Sequence, residues 1–329
     1  MTGSDEDAAE RGAGGGSARI CEVGADGEGQ RLDNYLSRQL GRLPKAAVYR
    51  IIRRGEVRVN SGRKPPSYRL RAEDRVRIPP AFASRVDGAP TAAVRAGAGL
   101  LEGLEARILY EDDQYIVLDK PSGLAVHGGS GVQLGVVELL RQLRPGPFLE
   151  LVHRIDRDTS GCLALARSRA ALLAAQQEFR EQRVRKRYVL LVEGAWPRKL
   201  KRVDLPLKRE LTRSGERRVR VNRVEGKPSR TDFDCQRSGT AVSWLTAAPR
   251  TGRTHQIRVH AAQQGHPILG DSKYGTTEQR SRWQADAIPR LCLHAERLRF
   301  TTNTATIDVL APVPDVFERL WTRLASSDT

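Results

Sequence analysis

The segment His153 to Gly161, HRIDRDTSG, concentrates more reactive chemistry than any other stretch of this chain: two arginines, two carboxylates two residues apart, and a Thr-Ser-Gly close. Asp156 and Asp158 could form an acid–base couple. They could equally be loop acids neutralised by Arg154 and Arg157. The His-Arg-x-Asp string occurs in protein kinases too, but no Gly-rich loop, DFG or Val-Ala-Ile-Lys accompanies it. A second candidate is Pro249 to His260, PRTGRTHQIRVH, where Arg253, Thr254, His255 and Arg258 follow a chain break at Gly252. Its two histidines are five apart, the wrong spacing for a helical zinc pair, and no HExxH exists. The alternative here is a helix whose first turn carries polar caps. A third, RKRYVLLVEG, brings Lys186 and Tyr188 into a strand on one face, where a tyrosine is more often half-buried core.

These segments need a scaffold, and the hydrophobic pattern supplies one. From Arg107 onward the chain is strand-rich: a hairpin turning at Asp112-Asp113, then strands near 162–167, 188–194, 217–223, 231–236 and 241–249. Helical periodicity falls near 134–143, 168–182, 254–264 and 314–325. Strands often follow one another without a helix, which predicts an α+β domain with a mixed, largely antiparallel sheet over 105–329. Upstream, Leu32, Tyr35, Leu36 and Leu40 share a helix face. Pro44 opens a second helix with Val48, Ile51 and Ile52 inward, and short strands follow, making a small α/β module over 31–80. Residues 1–30 read as a flexible extension. Residues 81–104, rich in Ala, Gly and Pro, read as a linker.

The charge is uneven. Of 329 residues, 56 are Lys or Arg and 39 Asp or Glu, a net charge of +17. Residues 31–80 carry fourteen of the basic residues against four acids, so ten of the seventeen surplus charges sit in that module. Arginine dominates, which suits bidentate phosphate contacts and makes a nucleic acid the expected partner, with Lys45, Arg50, Arg53 and Arg54 as candidate contacts. An amphipathic membrane helix fits badly, because the charges spread over several short elements. Four dispersed cysteines without a CxxC pair disfavour a zinc knuckle or disulfide scaffold. With no signal peptide or spanning segment, a cytoplasmic monomer is expected.

Taken in order, these segments resemble the RluA-type ribosomal large-subunit pseudouridine synthases. RLDNYLSRQLGRLPKAAVYRIIRRGEVRVN resembles that family's alpha-L-type RNA-binding domain. KPSGLAVHGGSG, HRIDRDTSG, KRYVLLVEG, SGERRVRV, TGRTHQIRVH and HPILGDSKYG resemble the motifs of its catalytic domain. The resemblance implies an intramolecular isomerase that converts uridine in large-subunit ribosomal RNA to pseudouridine, without a metal or any small-molecule cofactor. It implies Asp156 as the catalytic carboxylate, Arg258 as its ion-pair partner and Tyr188 as the aromatic that packs on the target base. Arg154, Lys186, Arg253 and His255 are then candidate RNA contacts, and Asp158 is assigned to the loop's structure. Three roles stay open for Asp156: attack at C1′, attack at C6, or removal of the 2′ proton. Ile155 stands where leucine is commoner in the family, a volume-conserving change.

Overall fold

In a computed structural model, the described residues are 17–24, 27–40, 43–87, 96–128, 134–146, 148–211, 217–302 and 305–325. The chain divides into two compact units, Met1–Ala93 and Val94–Thr329.

The first unit packs two helices on a three-stranded antiparallel sheet. Helix Leu32–Gln39 buries Leu32, Tyr35 and Leu36, and helix Lys45–Arg53 buries Val48, Ile51 and Ile52 against the same core, as the 3.6-residue period requires. Gly55, with φ +69°, ends the second helix in the left-handed conformation that a Cβ disfavours. Arg50, Arg53 and Arg54 are exposed on it, and Lys45 opens it. Residues 1–30 require a correction: Arg19–Glu22 is a strand paired with Arg75–Ile78, and Val23 is buried in the core. That segment is part of the module, because the sheet needs a partner for the inner edge of Arg75–Ile78. Residues 1–16 of the expected extension lie outside the described residues.

The expected linker also departs from the structure. Helices span Pro80–Asp87 and Ala98–Glu105, and residues 88–95 lie outside the described residues. Three glycines weaken the local helical signal of Ala98–Glu105 and its approach. Tertiary burial of Leu104 beside Ile116, Leu118 and Leu140 decides the outcome.

The second unit is built on a ten-stranded sheet among the described residues. Its main path runs Ile108–Glu111, Tyr115–Lys120, Ser160–Ala166, Leu293–Thr301, Arg185–Glu193, Val242–Pro249, Arg230–Ser238 and Arg202–Asp204. Thr306–Leu310 pairs with Leu293–Thr301, and Glu150–Leu151 with Ser160–Ala166. The pairing of Ser160–Ala166 with Leu293–Thr301 is parallel and the other pairings are antiparallel, which agrees with the expected mixed sheet. At the parallel crossing Gly161 has φ +106°, and a Cβ there would lie 2.3 Å from the Ala295 carbonyl oxygen. The terminal glycine of HRIDRDTSG therefore admits the central strand.

Helix Arg169–Arg180 packs Ala171, Leu172 and Ala175 against one cluster of the sheet's apolar side chains, with Phe300 and Leu298. Helix Asp315–Ala325 buries Phe317 and Leu320 against another, with Leu190, Leu245 and Leu293. Both were legible as periodic segments. A separate hairpin, Leu207–Leu211 with Arg217–Val221, packs Leu207 and Val219 against Val259. Residues 212–216 at its turn lie outside the described residues.

Candidate active site

Seven sequence-singled residues of the second unit meet in one cleft. Arg154, Asp156, Lys186, Tyr188, Arg253, His255 and Arg258 line a cavity of about 290 Å³, together with apolar Val152, Ile155, Ile257 and Leu293. That is the lower end of ligand-pocket sizes, with a few polar groups set in apolar walls.

Asp156 sits in the turn before strand Ser160–Ala166, closed by the Thr159 N–H donating to the Asp156 carbonyl at 3.2 Å. The turn is anchored from below by Lys120, whose side chain is 0% exposed. Its Nζ donates to the carbonyl oxygens of Pro121, Leu124 and Arg157 at 2.7 to 2.8 Å. Burial pulls the lysine pKa down to about 7, with Asp158 and Asp156 opposing that shift. Ser122 Oγ donates to the Asp158 carbonyl at 2.6 Å, joining the KPSG turn to the same loop. Residues 129–131 of that motif lie outside the described residues. The Asp158 carboxylate pairs with Arg157 Nε at 3.1 Å on the surface, in line with a structural assignment.

Arg258 stands in helix Gln256–Gln263 with its side chain 3% exposed. Its Nη1 lies 3.4 Å from Asp156 Oδ2, so the expected pair is present. Its main partner is another residue. Asp271, 0% exposed, accepts from Arg258 Nε and Nη2 at 2.8 Å each, a bidentate fork. Burial alone would lower the arginine pKa, but the Asp271 hydrogen bonds and charge outweigh it and raise the value. Asp271 also accepts from the backbone N–H groups of Lys273 and Tyr274, at 2.9 and 3.1 Å. Sequence reasoning noticed HPILGDSKYG but gave Asp271 no role; the usable signal was that a buried arginine needs more acceptor capacity than one carboxylate at its edge.

The approach to that helix is fixed by Gln256. Its Oε1 accepts from Thr251 Oγ1 at 2.6 Å and from the Arg253 N–H at 3.1 Å. Its amide donates to the Arg230 carbonyl at 2.9 Å and to Thr231 Oγ1 at 3.0 Å. His255 precedes the helix with φ 52° and ψ 21°, a left-handed backbone uncommon outside glycine. Its Nε2 lies 3.8 Å from Asp156 Oδ2 and its Nδ1 2.7 Å from Tyr274 Oη. Burial lowers the His255 pKa, which favours neutral imidazole.

On the opposite wall, Lys186 and Tyr188 project from strand Arg185–Glu193 on one face, as alternation predicts. Burial lowers Lys186 to about 8 and raises the Tyr188 pKa, so that phenol stays protonated. Phe179 and His153 stack at 5.0 Å beside them. Arg154 and Arg253 are exposed at the cleft's edge, where phosphates can be met without desolvation. His260, the other histidine of the motif, is buried, bonded to Ser229 and Thr231, and serves the core.

The RNA pseudouridylate synthase family model matches residues 114–263, and the S4 domain model matches residues 30–76. The chain is 47% identical over 309 residues to the ribosomal large subunit pseudouridine synthase C of Salmonella typhimurium, covering 92% of this chain and 95% of that protein. To the protein of the same name from Escherichia coli it is 46% identical over 317 residues, covering 94% and 98%. Among solved structures it is similar to human RNA Pseudouridylate Synthase Domain Containing 1, at 29% identity and a TM-score of 0.56, covering 72% of this chain and 98% of that one. The chain belongs to the RNA pseudouridylate synthase family, in its RluA-type branch, and is an RNA pseudouridine synthase with an S4 domain.

Proposed function

We propose that this enzyme isomerises specific uridines of large-subunit ribosomal RNA to pseudouridine, with Asp156 as the reacting carboxylate. The observation that carries this reading is the convergence of Asp156, Arg258, Tyr188 and Lys186 on one nucleotide-sized cleft. The reaction breaks N1–C1′, turns the uracil and joins C5 to C1′; the C5 hydrogen leaves to solvent and N1 gains a proton. Nothing is oxidised and no phosphate moves.

The target nucleotide must first leave its stack, at a cost of a few kcal/mol that phosphate contacts and aromatic stacking offset. Arg154 and Arg253 suit the flanking phosphates, and the neutral phenol ring of Tyr188 gives the uracil a face to rest on. All three possible roles of Asp156 place its carboxylate at the junction of sugar and base. Each requires an anion there, with the Arg258 guanidinium 3.4 Å away. Asp271 keeps that guanidinium in place whether or not substrate is present. The S4 unit, with Lys45, Arg50, Arg53 and Arg54 on one helix, supplies sequence-independent backbone contacts. Action as a monomer in the cytoplasm, where ribosomal RNA is met, completes the reading.

The test is release of tritium from C5-labelled uridine in transcribed large-subunit RNA, with no cofactor added. Asp156→Asn is expected to abolish release while RNA binding survives, and Asp158→Asn to retain measurable turnover. Ordinary rates from Asp156→Asn would overturn the assignment.

A further inference from the structure

A line of polar contacts leads from the basic hairpin to Asp156. The Val219 backbone N–H, which can only donate, reaches Tyr274 Oη at 3.1 Å. Tyr274 Oη in turn lies 2.7 Å from His255 Nδ1, and His255 Nε2 lies 3.8 Å from Asp156 Oδ2. The phenol proton needs an acceptor, and His255 Nδ1 is the one it reaches. A neutral imidazole that accepts at Nδ1 must carry its proton on Nε2.

We propose that Tyr274 fixes the tautomer of His255 so that Nε2–H is presented as a donor to Asp156, making both positioning residues for that carboxylate. The inference rests on the reading of Asp156 given above. Several features build the arrangement. The guanidinium groups of Arg218 and Arg258 lie over the Tyr274 ring, at 5.7 and 5.2 Å from its centroid. Its burial pushes the phenol pKa up to about 12, leaving it a donor throughout the working range. His255 is held at φ 52°, a left-handed backbone uncommon outside glycine, and its side chain lines the cleft. Arg258 and His255 both approach Oδ2 of Asp156. The separation of 3.8 Å is long for a hydrogen bond in the free enzyme, and such contacts tighten when substrate fills the site.

A network that merely satisfied buried polar groups would not depend on the tautomer. Full-length enzyme labelled with 15N-histidine distinguishes the two, because two-bond 15N–1H correlations separate Nε2–H, Nδ1–H and imidazolium. His255 is assigned by the resonance lost in His255→Gln. Near neutral pH the expected form is Nε2–H, becoming a mixture in Tyr274→Phe, which keeps the ring. Tyr274→Phe is expected to lower kcat about tenfold, as for one charge-assisted hydrogen bond, with KM for RNA within about twofold. His255→Gln, whose amide can supply the same donor, should exceed His255→Leu in kcat at matched thermal stability. An Nδ1–H or imidazolium signal in the wild type overturns the proposal, as does equal kcat in the Gln and Leu variants. Asp156→Asn is run alongside: full activity there sinks the reading of the carboxylate, whereas a wrong tautomer with a dead Asp156→Asn sinks only the relay.

Discussion

Replacing Asp271 by Asn tests whether the cleft's guanidinium is held from behind. The substitution is nearly isosteric and keeps Oδ1, so the backbone N–H groups of Lys273 and Tyr274 retain their acceptor. The other oxygen becomes an NH2 aimed at Arg258 Nε, donor against donor, where one bond of 2.8 Å had been, and the bond from Nη2 to Oδ1 loses its charged acceptor. Breaking one partner out of a buried pair costs about 3–5 kcal/mol. The lower end applies, because Asp156 still stands 3.4 Å from Nη1 and one acceptor survives. At about 2–4 °C per kcal/mol for a unit of this size, the melting temperature should fall by about 6–12 °C. The freed guanidinium should also shift toward Asp156 and occupy its carboxylate, lowering kcat by about tenfold or more while RNA affinity changes little. Calorimetry and single-turnover tritium release measure both effects. A variant that melts within about 2 °C of wild type and turns over normally would refute the claim that the fork positions Arg258.

Gly161→Ala should destabilise the second unit by several kcal/mol, since its Cβ would meet the Ala295 carbonyl at 2.3 Å and φ is +106°; urea melts showing a loss below about 1 kcal/mol would contradict this. Acid should weaken the fold through His294, fully buried, with a pKa lowered by burial to about 4 and Nδ1 accepting from Ser160. The unfolded chain binds that proton first, so stability is complete above the unfolded value near 6.5 and falls as pH drops toward 4, by about 1.36 kcal/mol per unit at most. His294→Gln should flatten the slope of urea midpoints between pH 7 and 5, and an unchanged slope would exclude this residue as the source. Charge reversal of Arg50, Arg53 and Arg54 should weaken RNA binding and reduce its salt dependence, with kcat on saturating short substrate preserved; an unaltered salt slope would move the RNA contacts elsewhere.

Periodicity found the helices carrying Leu36, Ile51, Leu172 and Phe317, because each has an apolar stripe that local order alone reveals. It missed Ala98–Glu105, where glycines mask the pattern and Leu104 is recruited by distant partners. It also missed Leu293–Thr301, where charged residues interrupt the apolar alternation. In the sheet Arg297 pairs with Asp308, and Glu296 with Arg187, so the charges lie on the exposed face of a central strand. At the site, motif residues were found because their types are unusual where they stand. Asp271 and Lys120 escaped because one lies in a glycine-punctuated loop and the other gives its protons to backbone carbonyls, which leave no trace in side-chain identity.

The strand Leu293–Thr301 is the last of the sheet's main path in chain order, yet it lies between Ser160–Ala166 and Arg185–Glu193. During synthesis the catalytic unit therefore cannot close before nearly all of it has been made, because its halves have no shared seam until then. The S4 unit draws its core from residues 21 to 82 and carries no such delay. A nascent chain thus acquires an RNA-handling surface well before a working cleft, so the order of its residues keeps recognition and chemistry apart in time.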